Sequence, residues 1–109
     1  MTSPAFHLEI VSPEAVVWSG EAEMLVTRTS EGEIGILAGH EPTMAALATG
    51  STVVHAVGGE TVTVAIHGGF LQIAGSEVTL LTNRAVIAEG DVQDARELAR
   101  AMASEEDGG

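Results

Sequence analysis

The sequence predicts a mainly β fold, a two-sheet β-sandwich of about ten short strands followed by one short C-terminal α-helix. Three observations carry this expectation. Apolar and polar residues alternate over short runs between Phe6 and Ile87. Clusters of glycine, serine and proline interrupt those runs at short intervals. After Ala88 the apolar spacing changes from period two to the i, i+3, i+4, i+7 pattern of a helix.

In the first strand Phe6, Leu8 and Ile10 fall on one face and His7, Glu9 and Val11 on the other. Val62, Val64 and Ile66 alternate with Thr61, Thr63 and Ala65, and Val78 and Leu80 with Glu77 and Thr79. Such runs suit a pleated strand with one face buried. The breaks are Ser12-Pro13, Ser19-Gly20, Gly39, Gly50, Gly58-Gly59, Gly68-Gly69 and Gly75-Ser76. They predict strands near 5–11, 15–18, 22–28, 33–37, 43–48, 52–57, 61–67, 69–74 and 77–82. The run TMAALA at 43–48 reads as strand or as helical turn, because Met, Ala and Leu favour helix. Gly58-Gly59 suits a two-residue hairpin, since both positions can take positive φ. That turn sets His55 opposite Val62 and His67 opposite Gly50. Ala74-Gly75-Ser76 suits the next reversal, and Phe6 and Phe70 fall in core-like alternation.

The helix is expected over 91–103, with Asp91 as N-cap and Asp94 three residues on. Ala95, Leu98, Ala99 and Met102 form its narrow apolar stripe. A helix of this length is marginal alone and should dock on the sandwich. Ser104 to Gly109, SEEDGG, reads as an unstructured acidic tail. The expected division is a β-sandwich domain over 1–87 and a short helix with tail over 88–109.

Composition narrows the function. The chain has 109 residues, no cysteine, and a net charge of −12. Disulfides and thiolate metal sites are excluded. All four cations are arginines, Arg28, Arg84, Arg96 and Arg100, against sixteen carboxylates. No basic face for nucleic acid or anionic lipid can be assembled from them. The excess acid serves solubility or steers the chain to a cationic protein partner. No segment is long and apolar enough to span a bilayer, and the N-terminal residues do not read as a signal peptide, so no direct membrane insertion is expected.

No reaction centre emerges. His7, His40, His55 and His67 offer no H-x-H or H-x₃-H spacing, so no metal is expected. Glu31 and Glu33 sit in a glycine-rich, solvated loop rather than the cleft that splits carboxylate pKa values. That loop cannot be a phosphate cradle, since the chain has no lysine and two glutamates would repel the phosphate. No G-x-S-x-G elbow is present. Catalytic residues: none; cofactors: none. The residues themselves describe an acidic, protein-binding β-domain.

The segment from Phe6 to Pro42, FHLEIVSPEAVVWSGEAEMLVTRTSEGEIGILAGHEP, resembles the opening of the epsilon subunit of bacterial F-type ATP synthases. Leu47 to Gly50, HGGFLQI from His67 and EVTLLTNRA from Glu77 continue the resemblance in order and spacing. It implies a β-sandwich with a C-terminal helical hairpin, packed on the gamma subunit, seated on the c-subunit ring and linked through the stalk to the alpha/beta catalytic head. It implies a non-catalytic rotor subunit at the cytoplasmic face of the cell membrane. It places the ring contact around Glu31, Glu33 and His40, with Ile36 and Leu37 as apolar anchors. The alternation of Ile34 and Ile36 with Gly35 and Leu37 fits core positions equally well. The chain departs from the family in carrying one helix rather than two, which makes inhibition through the second helix doubtful. Some relatives bind ATP through [IL]-D-x-x-R-A. Here Val92-Gln93-Asp94-Ala95-Arg96-Glu97 keeps only Arg96 as a weak remnant, so no tight ATP binding is expected. The competing reading is a free-standing β-sandwich module for protein or carbohydrate, disfavoured by only three aromatics.

Overall fold

A computed structural model describes residues 4–88 and 92–107. Its elements are β1 Phe6–Val11, β2 Val16–Thr29, β3 Gly32–Leu37, β4 Thr43–Ala46, β5 Gly50–Ala56, β6 Thr61–Ala74, β7 Glu77–Ala88 and α1 Val92–Asp107. Among the described residues seven strands replace the nine predicted ranges, because β2 and β6 each join two of them; β7 also runs on to Ala88. Each of these three long strands serves both layers of the sandwich. The first layer takes β4, the second half of β6, the first half of β7, β1 and the first half of β2. The other takes β3, the second half of β2, β5, the first half of β6 and the second half of β7. Four short strands and two segments from each long one give ten segments, five per layer.

Where a long strand changes layer, its buried face changes parity. In β6 Val64 and Ile66 are buried before the corner, Leu71 and Ile73 after it. In β2 the inward set passes from Trp18 and Ala22 to Leu25, Thr27 and Thr29, with a register shift between Ala22 and Met24. In β7 Val78, Leu80 and Thr82 give way to Ala85. Gly68-Gly69 is therefore the corner of one strand, not a break between two. Its φ values are 68° and 119°, and a Cβ on Gly69 would lie 2.0 Å from the carbonyl oxygen of Leu81. Phe70, expected in the core, stands just past the corner and faces outward.

β1, β7, β6, β5 and β2 form a closed circuit of paired strands, with β1 parallel to β7 and antiparallel to β2. TMAALA proves to be strand: β4 pairs with β6, and Leu47 bridges to Thr29. Leu8, Ile10, Leu25, Ile36, Leu71 and Leu80 fill the interior. Two of the four buried threonines among the described residues, Thr27 and Thr52, bond each other through their hydroxyls at 2.7 Å, so neither is left unsatisfied.

The β5–β6 turn has three residues, Val57 to Gly59, because the Ala56 N–H donates to the Glu60 carbonyl. His55 consequently faces Thr61 rather than Val62. His67 moves opposite Thr49, whose hydroxyl lies 2.9 Å from His67 Nδ1, not opposite Gly50. The Gly75-Ser76 reversal follows expectation, with Ala74 paired to Glu77.

Asp91, the expected N-cap, and Gly108-Gly109 lie outside the described residues. The helix runs past 103 to Asp107, so Ser104 to Asp107 are helical rather than an unstructured tail. Ala95, Ala99 and Met102 bury against Ala65 on the outer face of β6, with Ala88 and Leu98 at the margin. Small residues on both sides let the helix approach closely. Burying Met102 is worth ~1.5–3 kcal/mol.

Candidate functional site

The segment Glu31 to His40 is mostly strand rather than loop. A tight hairpin joins β2 to β3, with Thr29 paired to Gly32. The Glu31 N–H donates to Thr29 Oγ1 at 3.2 Å, and that hydroxyl donates to the Gly32 carbonyl at 2.8 Å. Gly32, at φ 127°, permits the reversal. Glu31 is exposed at the tip. Glu33, Gly35 and Leu37 point outward along β3, while Ile34 and Ile36 point inward.

These positions sort the expected contact residues. Ile36 is fully buried and cannot serve as a surface anchor without opening the core, which corrects its assignment. Leu37 is exposed and lines a cleft of about 530 Å³ with Met24, Ala38 and His55. His40 follows β3 in the connection to β4. Its Nδ1–H donates to the Glu41 carbonyl at 2.9 Å, and its N–H donates to the Leu37 carbonyl at 3.2 Å. Glu33 and Leu37 are about 13 Å apart at ~3.3 Å per residue. The hairpin tip and His40 therefore form two ends of one edge, not one cluster.

Arg96 lies on the exposed side of α1. With Arg28, Glu33, Thr49, Ser51 and Arg100 it lines a cleft of about 320 Å³ between the helix and the sheet. Arg28 and Glu33 are cross-strand partners there. The expected acidic edge is thus flanked by three of the chain's four cations. Composition alone could not reveal this, because Arg28 and Arg100 are 72 positions apart in sequence (100 − 28).

The first layer exposes a second surface that the sequence reading missed. Ala46, Phe70, Leu81, Val11 and Val16 are successive register partners across β4, β6, β7, β1 and β2. Phe70 is 54% exposed, Leu81 47% and Val16 57%, and Met44 beside them is 72% exposed. One apolar row crosses all five strands of this layer. The parity change at Gly68-Gly69 conceals it, since uninterrupted alternation from Val64 and Ile66 puts Phe70 inside.

The β-sandwich thus carries a docked helix on one face and an uncovered apolar row on the other. The family model for the ATP synthase, Delta/Epsilon chain, beta-sandwich domain matches residues 5–88, and the chain belongs to this family of non-catalytic stalk subunits. It is 44% identical over 99 residues to the ATP synthase epsilon chain of Streptomyces avermitilis, covering 89% of this chain and 80% of that one. It is 43% identical over 91 residues to the epsilon chain of Rhodococcus erythropolis, covering 82% and 75%. Among solved structures, a chain of the Euglena gracilis mitochondrial ATP synthase, OSCP/F1/c-ring, superposes with TM-score 0.73 at 31% identity, covering 97% of this chain and 67% of that one. A chain of the Tetrahymena thermophila mitochondrial ATP synthase central stalk and c-ring shares the fold, with TM-score 0.64 at 12% identity over 97% and 93%. No helix among the described residues is long and apolar enough to cross a membrane.

Proposed function

We propose that this chain couples rotation in a proton-translocating F-type ATP synthase. Its first layer packs on the gamma subunit, and its Glu31–Glu33 hairpin meets the c-subunit ring at the cytoplasmic face of the membrane. The observation that carries this reading is the uncovered apolar row through Phe70 and Leu81. The sandwich interior is already filled without these side chains, so their exposure serves an external surface. Glu31 and Glu33 offer charge to cationic ring loops and act through steering and register, since an exposed pair is worth only ~0.2–1 kcal/mol. Leu37 is the apolar anchor at the far end of the same edge. Torque passes from ring to gamma through the sandwich, and the alpha/beta head is reached through gamma. In this reading α1, docked on Ala65 of the sandwich, exerts weak or no inhibition on the head.

The test is binding of purified gamma subunit to the wild-type chain and to Phe70→Asp. The expected result is loss of binding with an unchanged thermal midpoint. Undiminished binding would sink the assignment of this face.

A further inference from the structure

Three of four cations in a chain of net charge −12 converge on one cleft. Arg28 comes from β2, while Arg96 and Arg100 come from successive turns of α1, four residues apart on one helix face. None of the three forms an ion pair with a described residue. Guanidinium groups gathered in this way repel one another, and a carboxylate placed among them relieves the repulsion through paired N–H···O bonds. Ala99 forms part of the wall, and the Ser51 hydroxyl adds a donor.

We propose that Arg28, Arg96 and Arg100 form a socket for an Asp or Glu side chain on the same partner loop that meets the Glu31–Glu33 hairpin. This rests on the ring-contact reading and adds to it that α1 is part of the docking surface. Two features select a protein carboxylate over a free polyanion. Glu33 lines the same cleft, where it opposes several negative charges but pairs with a basic residue next to a single carboxylate. The cleft is also continuous with the hairpin edge, since Glu33 belongs to both. The partner loop is therefore two-signed, with an acidic residue for the arginines and a basic one for the glutamates.

The chain has no cysteine, so a single introduced thiol reports one position. Ser51→Cys places it in the cleft and Glu31→Cys at the hairpin tip. Each is assembled into the complete ATP synthase of the source organism, and maleimide labelling rates are compared with those of the isolated chain. The expected result is slowing at both positions by about tenfold or more on assembly, as a close-packed interface excludes reagent. Protection of Glu31→Cys with unchanged labelling of Ser51→Cys would overturn the socket and leave the ring contact standing. Labelling unchanged at both positions would overturn both. In the same complex, the Arg28→Gln/Arg100→Gln double variant is expected to be retained about tenfold less well, and Arg84→Gln, outside the cleft, as well as wild type. If the double variant melts early, Arg28→Lys/Arg100→Lys replaces it, with an intermediate loss expected. Equal retention of the charge-neutral and wild-type chains would count against the socket. Micromolar binding of inorganic phosphate or ATP to the isolated chain, lost in the double variant, would make the cleft a small-anion site and also overturn the proposal.

Discussion

The two outer faces of the sandwich draw on the same long strands yet are finished differently. On the second layer Ala65 receives Ala95, Ala99 and Met102, so the chain covers part of this face with its own helix. On the first layer Phe70, Leu81, Val16 and Met44 stay uncovered, although they are larger and more apolar than the alanines under the helix. Burial preference alone would place the helix over the larger side chains. The arrangement instead reserves the more adhesive face, and this asymmetry is the main structural support for a stalk partner there.

The comparison can be broken most severely at the corners that separate the faces. Gly69→Val should destabilise the fold by about 2–6 kcal/mol, through strain at positive φ together with overpacking against Leu81. Urea unfolding measures this, and a loss under 1 kcal/mol would show that the corner yields. Met102→Ala should cost about 2–5 kcal/mol of helix docking. Amide exchange should then accelerate across α1 while β1 and β7 stay protected. Leu81→Ser should lower gamma affinity by about 1–2 kcal/mol and change unfolding stability by less than ~0.5 kcal/mol. Those values in reverse order would mean that the bare face is structural. On the β3 edge Leu37→Asp should reduce retention on purified enzyme more than Glu33→Gln, which should cost only ~0.2–1 kcal/mol. Equal losses would remove the distinction between anchor and steering charge.

Much of the architecture is legible in local pattern. The inward residues of β1, the first halves of β6 and β7, and the α1 stripe follow from periods of two and 3.6. The corners are not legible in this way. A glycine pair signals a reversal and a corner alike, and only the opposing Leu81 backbone distinguishes them at Gly69. An error there inverts every later side chain of the strand, which is how Phe70 is assigned to the core. The Val57–Gly59 turn shows the same sensitivity, since one extra loop residue moves His67 to Thr49. The resemblance locates the β3 edge, but the burial of Ile36 and the convergence of the three arginines need tertiary placement. Side chains from β2 and α1 become neighbours only when the helix docks.

The circuit of paired strands has a mechanical consequence. An open sheet resists bending but shears readily about its long axis, as a slit tube does. Here β1 joins β7 on one side and β2 on the other, so the tube is stitched shut by backbone hydrogen bonds along every seam. Among the described strands β3 and β4 lie outside it, at the flanks. If, as proposed, torque enters at the hairpin end and is resisted at the Phe70 face, a closed section would carry it, and the two surfaces would turn together with little internal slip.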